Sequence, residues 1–267
     1  MNESRLQSQI EGAKAYEALF VPALFGQWVA VVVDAARIRT GQRALDVACG
    51  TGILAREIVS RVGENGYVAG LDPNPGMLAV AKEHAPTVDL KQGVAESIPY
   101  QDNYFDAVLS QFGLMFFSDR RQSIREFLRV LKPAGCLSVA VLDSIDNIPG
   151  YSTELTLIEK VAGRSAGDAV RAPFALGDRN MLFDLFDDAG AISIEIVTHR
   201  GTARFPSIRT MVEAELRGWL PIMGVHLSEK QIAQILHEAE RDLAVYVTST
   251  GAVVFDVTAH VVTARRS

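Results

Sequence analysis

The chain has 267 residues, 48% hydrophobic and 22% charged. That is the composition of an ordinary globule and excludes a disordered, collagen-like or disulfide-scaffolded chain. Its net charge of −6 disfavours non-specific binding to a nucleic-acid backbone or an anionic membrane surface. Cys49 and Cys136, the two cysteines, stand far apart and form no CxxC or Cys/His cluster, so no metal site or disulfide framework is expected. The N-terminal stretch lacks the basic start and apolar segment of a signal peptide. The apolar run 28–33 is too short to span a bilayer. These features predict a cytoplasmic chain with no membrane insertion.

In chain order, residues 3–20 read as an amphipathic helix broken at Pro22, and residues 27–36 as a second helix. An alternation then begins. Strands are predicted over 43–48, 67–71, 88–92, 105–111 and 136–142. Helices are predicted over 51–62, 75–84 and 119–131, with Gly63 stopping the first and Asp119 capping the last. Strands alternating with helices make βαβ units and hence a mainly parallel sheet covered on both faces.

The regularity fails over 143–176, where one helix is read, 153–162. Beyond it come a helix over 179–189 capped by Asp178, a strand over 192–199, helices over 208–217 and 229–246, and a last strand over 253–263. Ser228 and Gln231 have capping-box spacing. A helical insert between the last two strands would let them pair antiparallel.

The sharpest feature is Leu45-Asp46-Val47-Ala48-Cys49-Gly50-Thr51-Gly52, a strand running through a glycine turn into a helix. Gly50 and Gly52 let the backbone approach a ligand, and the helix start presents free N–H groups. About twenty residues on, Asp72 ends the next strand, where a carboxylate can hold both ribose hydroxyls. Together they make an adenosine site. The run 50–55 also satisfies the dinucleotide pattern, so an NAD(P)-dependent oxidoreductase is the alternative. Asp46 weighs against it, because a carboxylate beside the turn disfavours pyrophosphate and favours a sulfonium or ammonium.

Four blocks in order, LDVACGTG (45–52), GLDPNPGML (70–78), GVAESIPYQDNYFDAV (93–108) and REFLRVLKPAGCL (125–137), resemble the class I S-adenosylmethionine-dependent methyltransferases. The resemblance is greatest to the branch of the ubiquinone/menaquinone-biosynthesis C-methyltransferases, and covers residues 40–142. It implies a three-layer α/β/α Rossmann-like fold, with a mainly parallel seven-stranded sheet, an antiparallel last strand and a helical cap. It further implies that Asp46, Ala48, Gly50, Thr51 and Gly52 surround the methionine part of S-adenosylmethionine. Asp72 takes the ribose, and Pro73 and Met77 flank ribose and adenine. Ala95 offers its N–H to the adenine with Glu96 beside it, and Gln111 and Phe112 face the methyl group. Tyr16 belongs to a lid.

Two positions depart from the family pattern. Ala48 replaces a frequent glycine and should be tolerated at negative φ. Val94 replaces a frequent aspartate that meets the adenine amino group.

The expected organisation is a lid over 1–40 and a transferase domain over 41–267, with acceptor-side insertions at 143–176 and 201–250. The expected reaction is methyl transfer to an O, N or C nucleophile of a small, partly apolar molecule. No nucleic-acid partner is expected, and a homodimer is left open. The second alternative is a non-catalytic S-adenosylmethionine-binding protein. No catalytic residue is assigned.

Overall fold

The computed structural model describes residues 3–266. Helix α1 (Glu3–Phe20) does not break at Pro22. The helical path continues through a π-turn (Val21–Phe25) and a tight turn (Gly26–Trp28) into α2 (Val29–Ala35). Pro22 stands at the start of the π-turn, where its missing N–H costs least, and Gly26 N–H closes that turn on the Val21 carbonyl.

One consequence corrects the sequence reading. Taken as one run, Glu3–Ala35 is long and apolar enough to cross a membrane by length and composition, where a break at Pro22 leaves only the short stretch 28–33. In the fold its apolar side lies in the core: Trp28 is 1% exposed, Val32 and Val33 0%. Ser138 Oγ donates to the Val32 carbonyl at 2.9 Å, tying α2 to the sheet. Each such fully buried aliphatic side chain contributes roughly 1.5–3 kcal/mol.

The alternation follows as expected: β1 (Arg43–Val47), α3 (Ile53–Val62), β2 (Tyr67–Asp72), α4 (Pro75–His84), β3 (Asp89–Gln92), β4 (Phe105–Gln111), α5 (Arg120–Val130) and β5 (Leu131–Leu142). β5 starts five residues earlier than the sequence suggested. Its Lys132-Pro133-Ala134 start is partly exposed, and an extended proline is tolerated there. Asp119 caps α5 by accepting from Gln122 N at 2.9 Å.

The stretch read as one helix holds two, α6 (Pro149–Ala162) and α7 (Arg164–Arg171), separated by Gly163 at φ 87°. Then come α8 (Arg179–Asp187), β6 (Ala191–Phe205), α9 (Ile208–Glu213), a π-helical stretch (Ala214–Trp219), α10 (Leu220–Ile222), α11 (Glu229–Asp242) and β7 (Val253–Arg266). The Ser228–Gln231 capping box is formed.

The seven strands form one sheet in the order β3-β2-β1-β4-β5-β7-β6, mainly parallel with the last strand antiparallel. β1 pairs in parallel with β2 and β4, so the carboxyl ends of the central strands lie side by side. The chain folds as two compact units. Among the described residues, the first comprises 3–141, 178–199 and 260–266, and the second 142–177 and 200–259. The second unit is helical apart from its shares of the sheet strands, and Trp219 Nε1 is held within it by the Ala169 carbonyl at 2.9 Å.

Candidate functional site

The glycine turn after β1 is built by backbone conformation. Gly50 and Gly52 stand at φ 53° and 83°. A Cβ on Gly52 would meet the Ala81 methyl at 3.3 Å, so the turn lies tight against α4. Behind it Cys49 is buried and its thiol is pushed up in pKa, first by burial and then by the Asp46 and Asp72 charges. It is a packed side chain beneath the turn.

Ala48 departs from the sequence expectation. Its φ is +58°, not negative, so it occupies the left-handed region without being glycine. Phe112, at the neighbouring end of β4, stands at +57°. Two adjacent strand ends therefore hold residues whose Cβ crowds the following carbonyl, at roughly 1–2 kcal/mol each. Ala48→Gly is expected to leave stability unchanged or raise it by about 1 kcal/mol, as read by urea unfolding. A loss of stability would mean that the alanine methyl makes packing contacts worth more than the backbone strain.

Asp46 and Asp72 meet at the turn. Asp46 is 1% exposed; its carboxylate accepts from the Ala55 backbone, and its Oδ2 has no hydrogen-bond partner. Burial pushes its pKa well up, and the Asp72 charge adds to the rise. Asp72 accepts from Gly50 N–H at 2.9 Å on Oδ2 and from Asn74 N–H at 2.8 Å on Oδ1. Burial raises its pKa too, against the pull of those two donors. Each Asp72 oxygen retains a second lone pair for a further donor. The site therefore offers one orphaned carboxylate oxygen and one braced carboxylate.

A cavity of about 100 Å³ opens beside them. Among its lining residues are Ala48, Leu71, Pro73, Val94, Ala95 and Glu96. Pro73, Ala95 and Glu96 thus reach the same space, and it is walled mostly by apolar groups. Glu96 is also committed to structure: its Oε1 accepts from Ser118 N, Ser118 Oγ and Asp119 N at 2.7–3.1 Å. Burial opposes its ionisation, but those donors outweigh it and hold the carboxyl below the usual range. Met77 lies in the first turn of α4, half-buried, with its N–H on the Asn74 side chain.

Helix α1 reaches the turn through a contact with no sequence signature. Glu17 accepts from the Thr51 hydroxyl and pairs with Arg56 at 2.7 Å. At Gly76 a Cβ would stand 2.4 Å from the Gln9 carbonyl carbon, so only glycine lets α1 cross the start of α4 this closely. Tyr16 is half-buried and stacks on Phe25 at 5.6 Å, and Phe25 lies 5.3 Å from Phe112. The Tyr16 phenol is pushed up by burial and then by the Glu17 and Asp72 charges, which places it near both. Gln111 Nε2 donates to the Phe25 carbonyl at 3.1 Å, leaving its Oε1 unpartnered; the buried Ser110 hydroxyl has no partner either.

A family profile described as a methyltransferase domain matches residues 45–139. Over 118 residues the chain is 40% identical to the ubiquinone/menaquinone biosynthesis C-methyltransferase UbiE of Serratia proteamaculans, covering 42% of this chain and 47% of that protein. The chain therefore spans about half the length of that relative. It is 31% identical over 193 residues to the demethylmenaquinone methyltransferase of Listeria welshimeri, covering 66% of this chain and 81% of that one. Among solved structures, a putative methyltransferase from an antibiotic biosynthesis pathway of Anabaena variabilis superposes with a TM-score of 0.64 at 15% identity, covering 90% of this chain and 97% of that one. That likeness speaks to the fold.

Proposed function

We propose that this chain, which belongs to the class I S-adenosylmethionine-dependent methyltransferases in their ubiquinone/menaquinone C-methyltransferase branch, methylates a nucleophilic oxygen, nitrogen or carbon of a small molecule in the cytosol. The observation that carries the reading is the pair of carboxylates at the glycine turn. Asp46 Oδ2 is buried without a partner, and Asp72 is already braced by two backbone donors. A buried polar atom left unpaired costs free energy, and a bound donor group removes that cost.

The residues present fit the cofactor. Asp46 and the turn at Ala48, Gly50, Thr51 and Gly52 would hold its cationic methionine end. Asp72 would take the ribose hydroxyls, and Pro73, Met77, Ala95 and Glu96 would border the adenosine. Bound there, S-adenosylmethionine would supply a methyl group already activated on a sulfonium.

This chain's own residues bind, orient and exclude water. Tyr16, Phe25 and Phe112 form an aromatic wall. Glu17 ties α1 to Thr51 and Arg56, so α1 serves as a lid over the turn. Dry, oriented sites of this kind accelerate transfer mainly by alignment, where effective molarities can reach about 10⁵–10⁸ M.

Calorimetry with S-adenosylmethionine, S-adenosylhomocysteine and NADH tests the reading. Both adenosyl-sulfur ligands are expected to bind and NADH is not; NADH binding without them would overturn the assignment. Asp46→Asn supplies a second test. It should weaken S-adenosylmethionine at least as much as S-adenosylhomocysteine, because the former carries the extra positive charge. A larger loss for the uncharged product would refute the electrostatic role of Asp46.

A further inference from the structure

The cavity beside the glycine turn has a single charged side chain in its wall. Leu71, Pro73, Val94 and Phe117 line it with apolar surface, and Glu96 is the one ionisable side chain among the described residues that reach it. Val94 is 48% exposed and brings no acceptor. Ser118, the other polar side chain of the lining, is spent on Glu96. Its N–H and its hydroxyl both donate to Glu96 Oε1, at 2.7 and 2.9 Å. The Asp119 N–H donates to the same oxygen at 3.1 Å.

Three donors on one carboxylate oxygen fix the rotation of the group. They occupy both lone-pair sites of Oε1, so a further donor meets Oε2, which makes no hydrogen bond within the chain. Burial opposes ionisation of this carboxyl, but the donors outweigh it, and the group is charged at neutral pH. The cavity is therefore bordered by one oriented carboxylate with one oxygen open.

We propose that Glu96 determines which nucleobase the site accepts, its Oε2 taking the exocyclic amino group of adenine. The proposal rests on the cofactor reading above. A ribose held on Asp72 stands one residue from Pro73 and so delivers its base to the cavity that Pro73 lines. The flat face of a purine suits apolar walls, and its polar edge then meets one charged acceptor. An amine N–H on a carboxylate is a charge-assisted bond. A ligand without that N–H desolvates the carboxylate and leaves it unpaired, which is how a site built for a donor rejects an analogue lacking it.

The test compares S-adenosylhomocysteine with the analogue whose base is unsubstituted purine, hydrogen replacing the amino group. Both are titrated by calorimetry into the full chain at neutral pH. Wild type should bind the adenine ligand at least about tenfold more tightly. In Glu96→Gln the amide oxygen can keep the three donors from Ser118 and Asp119. That places the amide NH2 where Oε2 stood, donor against donor, so the preference should vanish or turn to the purine analogue. Glu96→Ala removes the acceptor and should bind the two ligands about equally. A side chain that only braces Ser118 and Asp119 would weaken both ligands alike and leave their ratio at the wild-type value in both variants. That outcome overturns the proposal, as does a wild type that binds the two ligands equally. If one variant fails to fold, the other variant and wild type decide. Binding of S-adenosylhomocysteine without discrimination between the bases removes the role of Glu96 alone. Binding of neither ligand removes the cofactor reading and the role of Glu96 with it.

Discussion

Asp72→Ala is expected to lose at least about 100-fold in affinity for S-adenosylmethionine and S-adenosylhomocysteine alike. A hydrogen bond to a charged group contributes about 1.5–3 kcal/mol, and a ribose offers this carboxylate two. The loss also has a structural part. Asp72 accepts from Gly50 and Asn74, so the alanine variant frees the N–H of the glycine turn and that of the residue capping α4. Asp72→Asn separates the two parts, since one amide oxygen can keep one of those bonds while the charge is gone. The asparagine variant should fold like the wild type by circular dichroism and still bind at least tenfold more weakly. Wild-type affinity in Asp72→Ala, measured by calorimetry, would remove Asp72 from the site.

The second large effect is on stability against pH. Burial raises both buried acids of the helical unit, the Glu215 charge adding to the rise at Glu154, and Glu215 is pushed up to about 7 from an ordinary glutamate value of 4.5. A raised carboxyl keeps its proton in the folded state after the unfolded chain has lost it. Stability therefore falls as pH rises from the unfolded value, and the penalty is complete above the folded one. Below pH 4.5 Glu215 is protonated in both states and the penalty vanishes. Each tenfold change in acidity is about 1.4 kcal/mol, so Glu215 costs the folded state roughly 3 kcal/mol by pH 8.

Other carboxyls, such as Glu96 and Glu126, are lowered and slope the opposite way, so the informative quantity is the difference between wild type and Glu215→Gln. Relative to wild type, the glutamine variant should gain about 3 kcal/mol between pH 4.5 and 8 in urea unfolding. Any constant cost of burying the amide shifts both ends of that comparison equally. A pH-independent difference would mean that Glu215 reaches solvent or a cation in the folded protein.

Much of the fold was legible because its signals are local. The strand, turn and helix at 43–62 announce themselves through an apolar run, two glycines and a helical repeat, and the observed β1 and α3 lie within one or two residues of that reading. Asp119, Asp178 and Ser228 were readable as caps because a capping side chain bonds the backbone two or three residues on. Pro22 misled because its local meaning, a helix stop, was overridden by packing of Trp28, Val32 and Val33 into the core, which sustains a π-turn across the proline. α7 was missed because Gly163 and Gly167 read as loop. In the fold Gly167 lies against the side chains of Glu159 and Arg171, where a Cβ would come within about 3 Å.

By itself the sequence determined the parallel α/β alternation, the glycine turn and the placing of Asp46 and Asp72 at neighbouring strand ends. Each follows from periodicity, from glycine's access to positive φ, or from a carboxylate at a strand end, all properties of a few consecutive residues. Only the tertiary structure decided that Ala48 and Phe112 take left-handed conformations, that Glu17 closes on Thr51 and Arg56, and that Glu154 and Glu215 are both buried. Those features join residues remote in sequence, or impose a backbone angle the residue itself disfavours. Their free energy comes from the packing of the whole unit, and no local pattern encodes it.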